Sequence, residues 1–146
     1  MKMIRELSDT AILAASVVNC ELDYSSDSIS RLDELVHDIH LSHRRNPKSE
    51  DSLTMLAYTC GAYLGETLLR NGLKALGFAW MKNEEGEYVI GNGEDWMAPV
   101  TKVYKRMTEG PYHDLTAFYD VCLGLAKGTI DRTDPRLHIM EEQLVQ

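Results

Sequence analysis

Three histidines fall three apart in His37-Asp38-Ile39-His40-Leu41-Ser42-His43, and Glu34 stands three residues before the first. Imidazole and carboxylate are good ligands for zinc or iron, and a Glu-x-x-His pair recurs in di-iron helical bundles. On a helix, however, rings spaced three apart fan across about 120° of the circumference. A bundle site also needs a second Glu-x-x-His on a facing helix, and the sequence has none. The competing reading places His43 at the edge of the core and His37 in solvent.

A second carboxylate invites the same question. Glu66 closes the segment Gly61-Ala62-Tyr63-Leu64-Gly65-Glu66, on an otherwise apolar helix. A carboxylate there is costly to bury unless it is paired. Arg70 follows four residues on, the favourable order for an ion pair on one helix face. The pattern therefore predicts a structural Glu66–Arg70 pair, with a general acid or base as the alternative. Gly61 and Gly65 each cost about 1 kcal/mol against alanine inside a helix. Close approach of another backbone or ring is the gain that offsets them, and Phe78 or Trp80 is the expected ring.

The third concentration of charge is Glu84, Glu85, Glu87, Glu94 and Asp95, with Lys82 as the cation nearby. These carboxylates form either a solvated loop or a docking surface for a basic partner. The ordered spacing of a calcium loop is missing. Trp96, Tyr104 and Tyr112 lie close in sequence, and Trp and Tyr are enriched in binding hot spots. Trp96 is the expected apolar anchor of such a surface.

Other chemistries find no footing. Cys20, Cys60 and Cys122 are far apart and sit among apolar neighbours, which predicts buried free thiols in a reducing cytoplasm. No phosphate-binding glycine loop, nucleophile elbow or His-Glu-x-x-His motif is present. The 146 residues carry 15 Lys+Arg against 23 Asp+Glu, a net charge of −8. That balance repels phosphate backbones and argues against nucleic acid. No run reaches the roughly 18 apolar residues of a membrane helix.

The elements that must position these residues are mostly helical. Ile4, Leu7, Ala11, Ala14 and Val18 recur at helical spacing and predict an amphipathic first helix rather than a signal peptide. A second helix is expected from near Ser26 to Asn46-Pro47, with Ile29, Leu32, Val36, Ile39 and His43 on one stripe. A third, from about Ser52 to Arg70, is apolar around most of its girth and is the candidate central helix, stopping at Asn71-Gly72. Gly77 to Lys82 and Glu87 to Ile90, split by Asn83-Glu84-Glu85-Gly86, predict a hairpin. Residues 98 to 109 read as a helix broken by Gly110-Pro111. Asp114 caps the next helix, Lys127-Gly128 ends it, and Thr133-Asp134-Pro135 opens a last short one. The fold class is α+β: one predominantly helical domain over 1–146, with a small antiparallel hairpin or sheet between helices.

Two segments carry a family resemblance. Leu22-Asp23-Tyr24-Ser25, with Ser28 and Leu32-Asp33-Glu34-Leu35, resembles the opening of a family of small bacterial proteins. Gly61-Ala62-Tyr63-Leu64-Gly65-Glu66, with Leu68, Arg70 and Asn71, resembles that family's central helix. Some relatives of that family resemble immunity proteins of polymorphic toxin systems. The resemblance implies a stand-alone cytoplasmic domain and brings no catalytic residues with it. Resemblance and charge together point to an immunity protein that blocks a basic partner, a cognate toxin, by steric occlusion and without a cofactor. Its contact residues would be Glu84, Glu85, Glu87, Glu94, Asp95 and Trp96. The alternatives are a metal-binding protein or enzyme using Glu34, His37, His40 and Glu66, or a structural subunit.

Overall fold

The computed structural model describes residues 1–131 and 133. Among them five α-helices and three short strands make a predominantly helical α+β fold. In chain order these are α1 (Lys2–Val17), α2 (Ser28–Arg45), α3 (Glu50–Leu68), β1 (Ala79–Lys82), β2 (Tyr88–Gly91), β3 (Trp96–Met97), α4 (Pro99–Glu109) and α5 (Leu115–Lys127). Apart from Thr133, the helix expected from Thr133-Asp134-Pro135 lies outside the described residues.

The expected central helix is α3. Ser49 caps it by accepting the Ser52 N–H, and Glu50 and Asp51 face the positive end of its dipole. Eleven of its 19 residues are buried, and it packs along α1 on one side and α4 on the other. Its two glycines admit α4 and the sheet at close range. A Cβ on Gly61 would come within 2.6 Å of the Val100 Cα, so α4 crosses at backbone distance. A Cβ on Gly65 would run into the Trp80 ring. Past Leu68 the helix widens into a π-turn over Leu69–Leu73 and tightens into a 3-10 turn over Lys74–Leu76. The expected stop at Asn71-Gly72 is thus a loosening, and the left-handed Gly77 (φ 90°) ends the run.

Two helices differ from their sequence patterns. The buried face of α1 is Ile4, Ser8, Ala11 and Ala15, while Ala14 and Val18 are exposed. Ser8 is tolerated inside because its hydroxyl shares a 2.8 Å hydrogen bond with the Tyr24 hydroxyl. The start of α2 is Ser28 rather than Ser26, because Ser25 Oγ takes the Ser28 N–H and keeps the preceding residues in a turn.

The two segments that carry the family resemblance meet in space. Tyr63 Oη accepts the Tyr24 N–H at 2.8 Å and bonds Ser28 Oγ at 2.6 Å. Tyr24 stacks on Tyr63, ring centroids 5.0 Å apart, and the Arg70 guanidinium lies 3.6 Å from the other ring's centroid, that of Tyr24. Asn71 Nδ2 donates to the Tyr24 carbonyl and to Tyr119 Oη. Tyr24 itself holds a left-handed backbone (φ 63°), a conformation uncommon for a bulky residue. These bonds satisfy one another and fix the α1–α2 connection on the core, so the cluster is a structural clamp.

The sheet has the order β1-β2-β3, antiparallel throughout. Trp80 pairs with Ile90 and Ile90 with Met97 on the face toward α3, whereas Met81 pairs with Val89 and Gly91 with Trp96 on the other. Pro99 opens α4 at its favoured first position. Asp114 caps α5 through the Thr116 and Ala117 N–H groups, and left-handed Gly128 closes it. One partly buried ion pair ties α2 to α4: Arg106 Nε donates to Asp33 Oδ1 at 3.0 Å, and the same oxygen accepts the Leu115 N–H.

Candidate binding site

The residues best arranged for binding are on the outer face of the sheet. Two loops of like design flank it. After β1, Asn83 Oδ1 accepts the N–H groups of Glu85 and Glu87, with left-handed Gly86 completing the turn. After β2, Asn92 Oδ1 accepts the N–H groups of Glu94 and Asp95, beside left-handed Gly93. Short asparagine side chains lock such turns by mimicking a backbone carbonyl. Each loop thereby projects a pair of carboxylates at a fixed place, Glu84 with Glu85 and Glu94 with Asp95.

Between the loops lies a depression of about 500 Å³. Val89 forms its buried floor, and Met81 and Trp96 form its walls. Gly91 lets them meet, since a Cβ there would press on Met81 Sδ at 2.6 Å. Trp96 remains 58% exposed and Met81 42%. Among the described residues Lys82 is the one cation lining the depression, against four carboxylates. Of the six residues expected to meet a partner, Glu84, Glu85, Glu94, Asp95 and Trp96 surround this one hollow.

Glu87 does not join them. It lines a separate cleft with Tyr58 of α3 and Thr101 and Tyr104 of α4. Burial pushes its carboxyl up from the ordinary glutamate value, the neighbouring Glu85 adds to that, and the Thr101 hydroxyl opposes it. The two other aromatic candidates also stand apart. Tyr104 donates to the Glu50 carboxylate, which holds its phenol above the usual range, and exposed Tyr112 meets His113 edge-on.

The histidines serve separate purposes. His40, not His43, is the buried member, and its Nδ1–H donates to the Met107 carbonyl at 2.7 Å. His43 Nδ1 accepts the Lys48 N–H beyond the end of α2. His37 is half-buried rather than solvated, with Nδ1 enclosed. Among the described residues no three His, Cys, Asp or Glu side chains converge as a metal ligand set.

The expected Glu66–Arg70 pair does not form. Glu66 Oε2 accepts the indole N–H of Trp80 at 3.3 Å, and Arg70 turns onto Tyr24. Arg70 lies in the wide turn after α3, where the regular four-residue spacing lapses. Among the cysteines, burial pushes the thiols of Cys60 and Cys122 up to about 12, so both stay protonated and unreactive at neutral pH.

Sequence reasoning passed over Lys102. It is 8% exposed, its ammonium lies 3.5 Å from His113 Nδ1, and burial lowers its pKa to about 8, with Lys105 adding to the effect. The signal available was a lysine two residues after Val100 and one before Val103, on a helix face the core needs.

No described helix is long and apolar enough to cross a membrane. Comparison with family models, with curated proteins and with solved structures returns no match.

Proposed function

We propose that this chain is a small cytoplasmic binding protein of the immunity type, which neutralises a bacterial toxin by covering a basic cleft. The observation that carries this reading is the outer sheet face: exposed Trp96 and Met81 over buried Val89, ringed by four carboxylates, with Lys82 beside them. An exposed tryptophan in a polar rim is the composition of an interface hot spot. The rim selects a partner rich in Lys and Arg, because complementary charge speeds encounter and rejects acidic competitors. Loops held by Asn83 and Asn92 present this rim without much ordering on binding. The family resemblance of the Tyr24 and Tyr63 segments supports the same assignment.

The test is binding of the purified protein to the toxin domain encoded beside it. Trp96→Ala should weaken binding at least tenfold while leaving the thermal melt unchanged, since a solvent-exposed side chain adds little to folding. Wild-type affinity in the Trp96→Ala variant would overturn the assignment of this face.

A further inference from the structure

On the opposite side of the hairpin from the acidic depression, the Glu87 cleft has a chemistry of its own. It has a volume of about 230 Å³ and lies where α3, α4 and the β1–β2 turn come together. Tyr58 and Tyr104 line it, with the small side chains of Ala57 and Thr101 leaving the space between them. Tyr58 is held edge-on by Tyr88, ring centroids 6.3 Å apart. Tyr104 is held by its hydrogen bonds to the Glu50 carboxylate. Both rings are therefore fixed before any ligand arrives.

Two carboxylates are associated with this aromatic slot. Glu87 lines it, and Glu50 is anchored on the Tyr104 hydroxyl. Among the described residues neither is in an ion pair. The groups that perturb Glu87 are burial, Glu85 and Thr101, none of them cationic. Lys82 is committed elsewhere, its ammonium 5.2 Å from the centroid of the Tyr88 ring.

We propose that the cleft formed by Tyr58, Tyr104 and Glu87 is a binding site for an alkylammonium group. The tyrosine rings and the Glu87 carboxylate offer the two attractions such a group seeks, cation–π contact and a charge-assisted hydrogen bond. Ala57 and Val100 give its methylene chain an apolar wall. The cleft is too small for a folded partner's surface and takes one side chain or one small amine. This site shares none of the residues lining the depression on the outer sheet face, although Glu85 of that rim interacts with Glu87.

The experiment is an amide-resolved NMR titration with butylammonium chloride, against sodium chloride at matched ionic strength. Saturable shifts at Tyr58, Thr101 and Tyr104 with butylammonium alone are expected. Glu87→Gln, at an exposed position, should raise the apparent Kd by about tenfold, equivalent to one lost charged hydrogen bond. Tyr58→Leu should weaken binding as well. A parallel titration with N-acetyl-lysine N-methylamide separates the two sources of such a group. Tighter binding of the lysine derivative assigns the site to a protein side chain, and equal binding assigns it to free amines. Shifts that do not saturate, that sodium chloride reproduces, or that survive Glu87→Gln unchanged would overturn the proposal.

Discussion

Trp80 lies against Gly65 so closely that no side chain fits between them. The contact joins the sheet to the central helix and places the indole N–H on Glu66, one residue on. It also accounts for a glycine that the helix would otherwise be better without. Gly65→Leu should destabilise the protein by more than about 2 kcal/mol, because overpacking a closed contact exceeds any gain in helix propensity. A thermal or urea melt reads this directly, and a mutant as stable as wild type would remove Trp80 from its assigned place.

Glu66 and Trp80 should be coupled, and Glu66 and Arg70 should not. A double-mutant cycle with Trp80→Phe and Glu66→Gln is expected to show about 0.5 kcal/mol or more, as residues in contact do. The cycle with Glu66→Gln and Arg70→Met should be additive within about 0.5 kcal/mol. Arg70 should instead couple to Tyr24, through a cation–π contact worth about 0.5–1 kcal/mol at an exposed guanidinium. Coupling of Arg70 to Glu66 and none to Tyr24 would restore the ion pair that the sequence spacing suggests.

That contrast marks what the sequence can and cannot disclose. Turn and cap chemistry is local, so Asn83 with Gly86, Gly110-Pro111, Asp114 and Gly128 all announce their elements in a few residues. The need for a close approach at Gly65 is legible as well, since a glycine in a helix requires a reason. Which partner the Glu66 carboxylate takes is not local: it depends on an indole 14 residues away that packs against Gly65. Ser8 misleads for the same reason, because its place inside depends on Tyr24. The two residues of β3 are too few to show any period. The acidic loops are legible as charge, but only the pairing register puts Glu84 and Glu94 around one hollow and sends Glu87 to the other side.

Lys102 should give the stability curve a signature in alkali. Its folded pKa is lowered from 10.5 to about 8, so between those values the unfolded chain holds a proton there that the native chain has released. More protons on the unfolded state means that stability rises with pH, by up to about 1.4 kcal/mol per unit from this one group. Cys60 and Cys122 work in the opposite sense. Their folded pKa values are raised from 9.0 to about 12, so the unfolded thiols lose protons first and stability falls above pH 9. Lys102→Met separates the two contributions. Denaturant melts from pH 7 to 10 should show the mutant losing the upward component, so that wild type gains on it across pH 8 to 10. A constant difference between the two proteins over that range would contradict a buried, deprotonating Lys102.

Reversing the rim of the outer face should change how fast a basic partner arrives more than how long it stays. Glu84, Glu85 and Glu94 are exposed, so they act across water and are not desolvated until contact. The Glu84→Lys, Glu85→Lys, Glu94→Lys triple variant should lower the association rate by at least tenfold at low ionic strength. The effect should shrink as salt rises, because the Debye length falls from about 10 Å at 0.1 M to about 3 Å at 1 M. Trp96→Ala should do the reverse, with faster dissociation and little salt dependence, as expected of an apolar anchor. Asp9→Lys serves as the internal control: it carries the same charge change at an exposed position on α1, outside both the depression and the Glu87 cleft. Stopped-flow or surface-resonance kinetics with the proposed partner, at two salt concentrations, separate these rates. If Asp9→Lys slows association as much as each of Glu84→Lys, Glu85→Lys and Glu94→Lys alone, net charge rather than this face is steering the partner. Equal rates for wild type and the triple variant would move the interface away from the sheet altogether.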